Sequence, residues 1–167
     1  VRFFLTSDDP KSKARALTLS NKLNIEIFKK PPQKQIKEFS EDYFFTCSKG
    51  RLFLKKGLRQ NSKPIFSDFD DWAKNYDDNL LKNSTKGLPA DFSCLDLTAG
   101  FGKDALEISK VVNCKSLVLV EKEAWVFELL VDGIKNISCS RAGGLLKKFK
   151  TFNMDNLEFL ESKNETF

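Results

Sequence analysis

Residues 95–108, Leu95-Asp96-Leu97-Thr98-Ala99-Gly100-Phe101-Gly102-Lys103-Asp104-Ala105-Leu106-Glu107-Ile108, restrict the fold of this chain more than any other stretch. An apolar approach (Phe92, Cys94, Leu95, Leu97) carries an acid, Asp96, four residues before a pair of glycines, Gly100 and Gly102. A helical pattern starts at once. A strand that runs through paired glycines into a helix is the opening of an α/β unit with parallel strands. The glycines let backbone amides approach a ligand where a side chain would obstruct it. The helix that follows offers unpaired N–H groups and the positive end of its dipole. The turn is suited to a nucleoside cofactor.

Two cofactors fit such a turn. Read as G-x-G-x-x-A (Gly100, Gly102, Ala105), it satisfies a loose dinucleotide fingerprint, with Glu121 about 20 residues on for the ribose. Read as D-x-T-A-G-x-G, it resembles motif I of the class I methyltransferases, which bind S-adenosyl-L-methionine. Asp96 and Thr98 favour the second reading. A dinucleotide turn has apolar residues there and no use for a carboxylate facing the ligand. S-adenosylmethionine carries an ammonium and a sulfonium, so an acid beside the turn has a purpose. A purely structural glycine turn is the third alternative.

A second unit follows at the expected distance. Ser116-Leu117-Val118-Leu119-Val120 is a continuous apolar, β-branched run, the mark of a buried parallel strand. It ends in Glu121, whose carboxylate can accept bonds from both ribose hydroxyls; alone, the acid would read equally well as a solvated helix start. Ala124–Lys135 reads as a helix, with Trp125, Val126, Leu129 and Leu130 at helical spacing. A third strand is expected over Lys150–Met154. Asp155 and Asn156 stand at its carboxyl end, where open α/β sheets bind ligands, and either can also serve as a helix cap.

The resemblance then becomes specific. Pro64-Ile65-Phe66-Ser67-Asp68-Phe69, the D-x-T-A-G-x-G-K-D-A run at 96–105, Glu121-Lys122 and the L-x-x-D-G spacing at Leu129–Gly133 follow in order. Together they resemble the ribosomal small-subunit methyltransferase J family, which methylates a guanine N2 of 16S rRNA. The likeness spans most of the chain and is sharpest over 95–133. It implies a Rossmann-like class I α/β sheet, S-adenosyl-L-methionine as cofactor, and 16S rRNA or the small ribosomal subunit as partner. Beyond Asp96, Gly100 and Gly102, it assigns cofactor contacts to Lys103, Asp104, Glu121, Lys122, Asp155 and Asn156.

The chain departs from that family in two places. Asp70–Asp78 stands where the family carries a His-Arg-Arg-like stretch and a Gly-Gly-Gly-Arg stretch. The D-P-x-F-P loop, which in the family holds the guanine amine for in-line attack by positioning and electrostatics, has no counterpart in residues 1–167. The chain contains no histidine to supply another proton relay. No catalytic residue is therefore assigned. The chain is expected to represent an amino-terminal part of a longer enzyme, its sheet incomplete in the carboxyl-terminal half, binding cofactor weakly and not turning over alone. In such a sheet the Cys94–Thr98 strand is central. Without a fourth strand it becomes an apolar edge that a further segment or a second chain must cover. A non-catalytic RNA-binding paralogue, or a methyltransferase for another RNA or a small molecule, are the alternatives.

Charge bears on the partner. The net charge is +5, and no acid occurs from Tyr43 to Ser67, where Lys49, Arg51, Lys55, Lys56, Arg59 and Lys63 lie. Phe44, Phe45, Phe53 and Phe66 interleave with these residues. A basic face with aromatics tracks phosphates and stacks bases, which makes Lys49, Arg51, Lys55, Lys56 and Arg59 the candidate RNA contacts. A hairpin with a solvated outer face and inward Phe is the plainer alternative. The four cysteines, Cys47, Cys94, Cys114 and Cys139, form no C-x-x-C pair and, without histidine, support no metal site. They are expected as reduced thiols of a cytoplasmic protein. No run of membrane-spanning length occurs in the sequence, and no signal peptide is expected ahead of the first strand.

Along the chain, residues 1–69 read as a small α+β module, 70–91 as a linker, and 92–167 as the cofactor domain with three βα units. Within the module, strands are expected at 2–6 and Ile25–Phe28, with a helix at Ser12–Leu23 between them. Pro31-Pro32 breaks the chain and Lys34–Asp42 forms a polar connection. Tyr43–Cys47 and Leu52–Lys55 form a hairpin turning at Ser48-Lys49-Gly50, and Phe66–Phe69 closes the module. The linker holds a helix near 71–82 and a turn at Gly87-Leu88-Pro89.

Overall fold

Helix starts and strand periods account for most elements of the computed structural model, which describes residues 2–28, 37–58, 62–75, 77, 79–111 and 113–163. The chain divides into two units, Val1–Phe66 and Ser67–Phe167. The expected break at Pro31-Pro32 lies outside the described residues, as does Arg59.

In the first unit, β1 (Phe3–Ser7) pairs in parallel with β2 (Tyr43–Ser48), which pairs antiparallel with β3 (Arg51–Lys56). Helix α1 (Pro10–Leu23) starts earlier than the apolar spacing implies. Asp9 caps it by accepting from the Ser12 amide, and Pro10 opens the first turn, where its missing N–H is not needed. Its buried Ala16 and Leu19 share a core with Leu5, Phe45, Cys47, Leu52 and Leu54. The expected second strand reduces to a single bridge between Ile27 and Leu5. On the opposite sheet face, Phe4, Phe28, Phe39 and Phe44 form an aromatic cluster.

The second unit holds three parallel strands in the order β4 (Phe92–Asp96), β5 (Cys114–Val120), β6 (Phe149–Phe152). This is one half of a doubly wound sheet. Strand β5 is central; Leu117, Leu119 and Val120 are completely buried. Strand β4 lies on the outside, and among the described residues no strand pairs with its far edge. Helices α4 (Lys103–Ser109) and α5 (Ala124–Lys135) follow β4 and β5, and α7 (Asn156–Ser162) follows β6.

The stretch read as a linker is structured and belongs to this unit. The helix expected near 71–82 is two helices, α2 (Phe69–Asn75) and α3 (Asn79–Ser84). Asp68 accepts from the Asp71 amide and starts α2 early, so Phe69, expected to close the first module, opens a helix of the second unit. Phe69 and Ala73 then enter the second unit's core. Between the helices, Asp77 turns to Lys82 in an ion pair; acids and amides such as Asp77 and Asn79 favour caps over helix interiors. Helix α6 (Ser140–Leu146) had no clear signal. Gly143 and Gly144 lower its propensity, and it is held by burial of Ala142 and Leu146.

Candidate cofactor site at the strand ends

The loop from Asp96 to Gly102 is fixed by a set of short local bonds. Asp96 Oδ1 accepts from the Thr98 amide at 3.0 Å. The Ala99 amide donates to the Val120 carbonyl at 3.0 Å, joining the loop to the end of β5, and the Gly102 amide closes a turn onto Ala99 at 2.8 Å. From the other side, the buried Ser67 hydroxyl donates to the Phe101 carbonyl at 2.9 Å.

The two glycines do different work. Gly102 has φ +82°, and a Cβ there would stand 2.6 Å from Leu130 Cδ1 and 2.9 Å from Phe69 Cζ, so it admits the packing of α5 and α2. Gly100 has φ +53° and nothing nearer to a Cβ than the Thr98 carbonyl at 3.8 Å. The space over Gly100 is open, and Thr98 and Asp104 beside it are exposed. Among the described residues, chain neighbours aside, no side chain comes within 4 Å of a Cβ at Gly100.

Glu121, at the end of β5, reaches back into the turn. Its Oε2 accepts from the Gly100 amide at 2.9 Å and its Oε1 from the Glu123 amide at 2.8 Å. A carboxylate has about four lone-pair positions, so two remain for a ligand. Asp96 lies close by. Burial pushes its carboxyl above the ordinary range; the Thr98 amide opposes this, and repulsion from Asp104 and Glu121 adds to it. None of these three carboxylates has an ion-pair partner among the described residues. The corner concentrates negative charge, and Asp96 is its desolvated member.

Lys103 and Asp104 open α4, and an acid in that first turn suits the helix dipole. Lys122 pairs with Asp155 at 3.1 Å across the ends of β5 and β6. The Lys122 ammonium and the Leu157 amide hold the Asp155 carboxyl below its usual range. Asp155 is thus the N-cap of α7, and Asn156 Oδ1 also accepts from the Leu157 amide at 2.8 Å. Both candidates occupy the strand ends, already engaged locally.

Two residues of this corner carried no role in the sequence reading. Asn153 donates to the Glu121 and Lys122 carbonyls at 2.8 and 3.1 Å and ties the ends of β5 and β6 together. Ser67 was legible only as part of the Pro64–Phe69 stretch. The L-x-x-D-G spacing also acquires a physical meaning. A Cβ on Gly133 would lie 2.4 Å from Ser67 Cβ and 2.6 Å from its carbonyl, so α5 packs directly against the backbone that positions the loop.

The described candidate RNA residues, Lys49, Arg51, Lys55 and Lys56, do not share one strand face. Arg51 and Lys55 share a face of β3, whereas strand alternation turns Lys56 to the other face. There it pairs with Glu41 at 2.8 Å. The Arg51 guanidinium covers the Phe66 ring at 5.0 Å, and the Lys49 amide is held by Asp9 at the hairpin turn. Phe44 and Phe45 are core residues. All four cysteines carry free thiols. Among the described residues, no helix is long and apolar enough to cross a membrane, and no cluster of acids or cysteines could hold a metal ion.

Strand order, glycine turn and acid at the next strand end define a Rossmann-like α/β fold of the class I methyltransferase kind, present in part. Among solved structures, the chain is similar to the SAM-dependent methyltransferase NGO1261 from Neisseria gonorrhoeae, with a TM-score of 0.64 and 14% identity. The match takes in 96% of this chain and 62% of that one, so the chain spans less than two thirds of its length. TrmN from Thermus thermophilus matches at 14% identity over 92% of this chain and 45% of its own, with a TM-score of 0.36, too loose to bear on the site. No protein-family profile and no curated protein sequence matches the chain.

Proposed function

We propose that the corner formed by Asp96, Gly100 and Glu121 binds S-adenosyl-L-methionine, and that the protein serves methyl transfer to RNA. The observation that carries this is the unneutralised charge of Asp96, Asp104 and Glu121 around an open, positive-φ glycine. A ligand bearing a sulfonium and an ammonium relieves that repulsion. A dinucleotide brings two phosphates and increases it. Glu121 keeps lone pairs for the ribose hydroxyls while its bonds to two amides hold it in place. Lys103 and Asp104 border the methionine end. Asp155 and Asn156 border the adenine, with Lys122 beside them. The bound cofactor supplies the electrophilic methyl group; the residues of this chain bind and orient it.

The finer reading is a guanine-N2 methyltransferase acting on 16S rRNA or the small ribosomal subunit in the cytoplasm. It rests on the ordered motifs at 64–69, 96–105, 121–122 and 129–133. On that reading the first unit contributes RNA contacts, and a further segment or second chain covers the outer edge of β4.

Calorimetric titration of the whole chain with S-adenosylmethionine, S-adenosylhomocysteine and NAD tests the cofactor. Saturable binding of the first two is expected, with Glu121→Gln weakening it at least about tenfold, or about 1.4 kcal/mol. Binding of NAD with S-adenosylmethionine inert, or a Glu121→Gln variant that binds like the parent, would overturn the assignment.

A further inference from the structure

The first unit holds a cleft of about 390 Å³ on the sheet face opposite α1, within the range of small-molecule sites. Its residues include Thr6, Asp8, Phe28, Phe44, Thr46 and Lys55. The alternation of the strands explains its composition. Thr6 on β1 and Thr46 on β2 stand opposite each other, and Lys55 on β3 pairs with Phe44, the same-face neighbour of Thr46.

Three features suit it to a flat, polar-edged ligand. First, the half-buried Phe28 ring is held by Phe4, Phe39 and Phe44 with centroids 4.9, 4.9 and 5.1 Å away. A ring braced from three sides is a preorganised stacking surface. Second, Thr46 is only 6% exposed. Its hydroxyl and that of Thr6 lie 3.0 Å apart and share one hydrogen bond, and Thr6 also reaches the Phe45 carbonyl at 3.4 Å. Hydroxyls rotate to suit their partners, so this pair can turn to meet a polar ligand edge. Third, neither Lys55 nor Asp8 is in an ion pair among the described residues, so a cation and an anion both remain for a ligand.

We infer that this cleft seats one unpaired base of single-stranded RNA. The base stacks on Phe28, takes a hydrogen bond from Thr46 at a ring nitrogen or carbonyl, and donates an exocyclic amine to Asp8. Lys55 meets the adjoining phosphate. The absence of any acid from Tyr43 to Ser67 leaves the chain around Lys55 positively charged, which suits a polyanion. A duplex cannot present a base this way, whereas splayed single strands do. The inference deepens the RNA reading above and rests on it.

Fluorescence anisotropy of a labelled five-nucleotide single-stranded RNA against the whole chain is the test. Phe28→Leu keeps an aliphatic filler but removes the stacking ring; Thr46→Val keeps shape but removes the donor. Each is expected to weaken binding, Phe28→Leu by about five- to a hundredfold. Lys55→Gln should lower the salt slope of binding by about one. Thermal unfolding checks that each variant is folded at the assay temperature, and S-adenosylmethionine titration is expected to be unchanged. If RNA binds and both Phe28→Leu and Thr46→Val bind equally well, the seat is refuted while the RNA reading stands. If the parent binds no RNA but still binds S-adenosylmethionine, the RNA reading falls and takes the seat with it.

Discussion

Replacing Gly102 and Gly100 by alanine, one at a time, separates packing from ligand access. Both residues have positive φ, so each alanine carries a left-handed penalty of about 1–2 kcal/mol. Only at Gly102 does the new Cβ meet side chains, at 2.6 Å from Leu130 and 2.9 Å from Phe69. Those two residues are 0% and 1% exposed and cannot swing away. Overpacking of a filled core costs about 1–3 kcal/mol more. Gly102→Ala should therefore destabilise by about 2–5 kcal/mol in total and Gly100→Ala by about 1–2 kcal/mol. Trp72 and Trp125, the two tryptophans of the chain, both lie in the second unit. Urea unfolding followed by tryptophan fluorescence consequently reports on that unit. Cofactor affinity should fall in Gly100→Ala out of proportion to its small stability loss, because its methyl projects into open space. Equal unfolding midpoints for the two variants, at unchanged slope, would refute the division of roles.

Two further outcomes follow from the same corner. Because the Asp96 carboxyl titrates above its ordinary value of 3.8 in the folded chain, the folded state holds more protons than the unfolded one just above that value. Its contribution to stability falls as pH rises through that window. Asp96→Asn should remove this dependence and raise the melting temperature of the ligand-free chain at neutral pH, while abolishing S-adenosylmethionine binding in calorimetry. Ser67→Ala leaves the Phe101 carbonyl without its buried donor and should cost about 1–3 kcal/mol in urea unfolding, with a smaller loss of cofactor affinity.

The glycine turn, the β5 strand and helix α5 were legible because each is written in one contiguous stretch. Asp96, Gly100 and Gly102 lie within seven residues, and the apolar run 116–120 can only be a buried strand. What escaped reading depends on partners distant in sequence. Asp70 accepts from the Ser138 and Cys139 amides at 3.0 and 2.9 Å, which holds the α2 start against residues before α6. Neither end announces the other. Ser67 and Gly133 meet across 66 positions of chain, so each looks ordinary alone. The basic stretch misled in a different way. Charge in a strand alternates between faces, and Lys55-Lys56 reads as one patch only until the hairpin register is known.

The corner also shows why the sequence could single out Glu121 without its bond to the glycine turn being seen. Three carboxylates facing an open turn should repel one another. The structure offsets this with backbone amides, from Thr98 to Asp96 and from Gly100 and Glu123 to Glu121. Amides can satisfy hydrogen-bonding capacity, but they neither restore lost hydration nor cancel a net charge, and the Asp96 carboxyl remains raised, chiefly by burial and further by repulsion from Asp104 and Glu121. If the corner binds the proposed cofactor, this condition gives up stability for affinity, as functional sites with shifted carboxylates do. On the proposed reading Glu121 has two partners: the Gly100 amide, which fixes the turn at once, and a ribose, for which lone pairs are left over. The first demands only an acid at the end of β5. The second demands that the acid be held still, and that rigidity comes from Glu123 and Asn153, which local sequence patterns do not reveal.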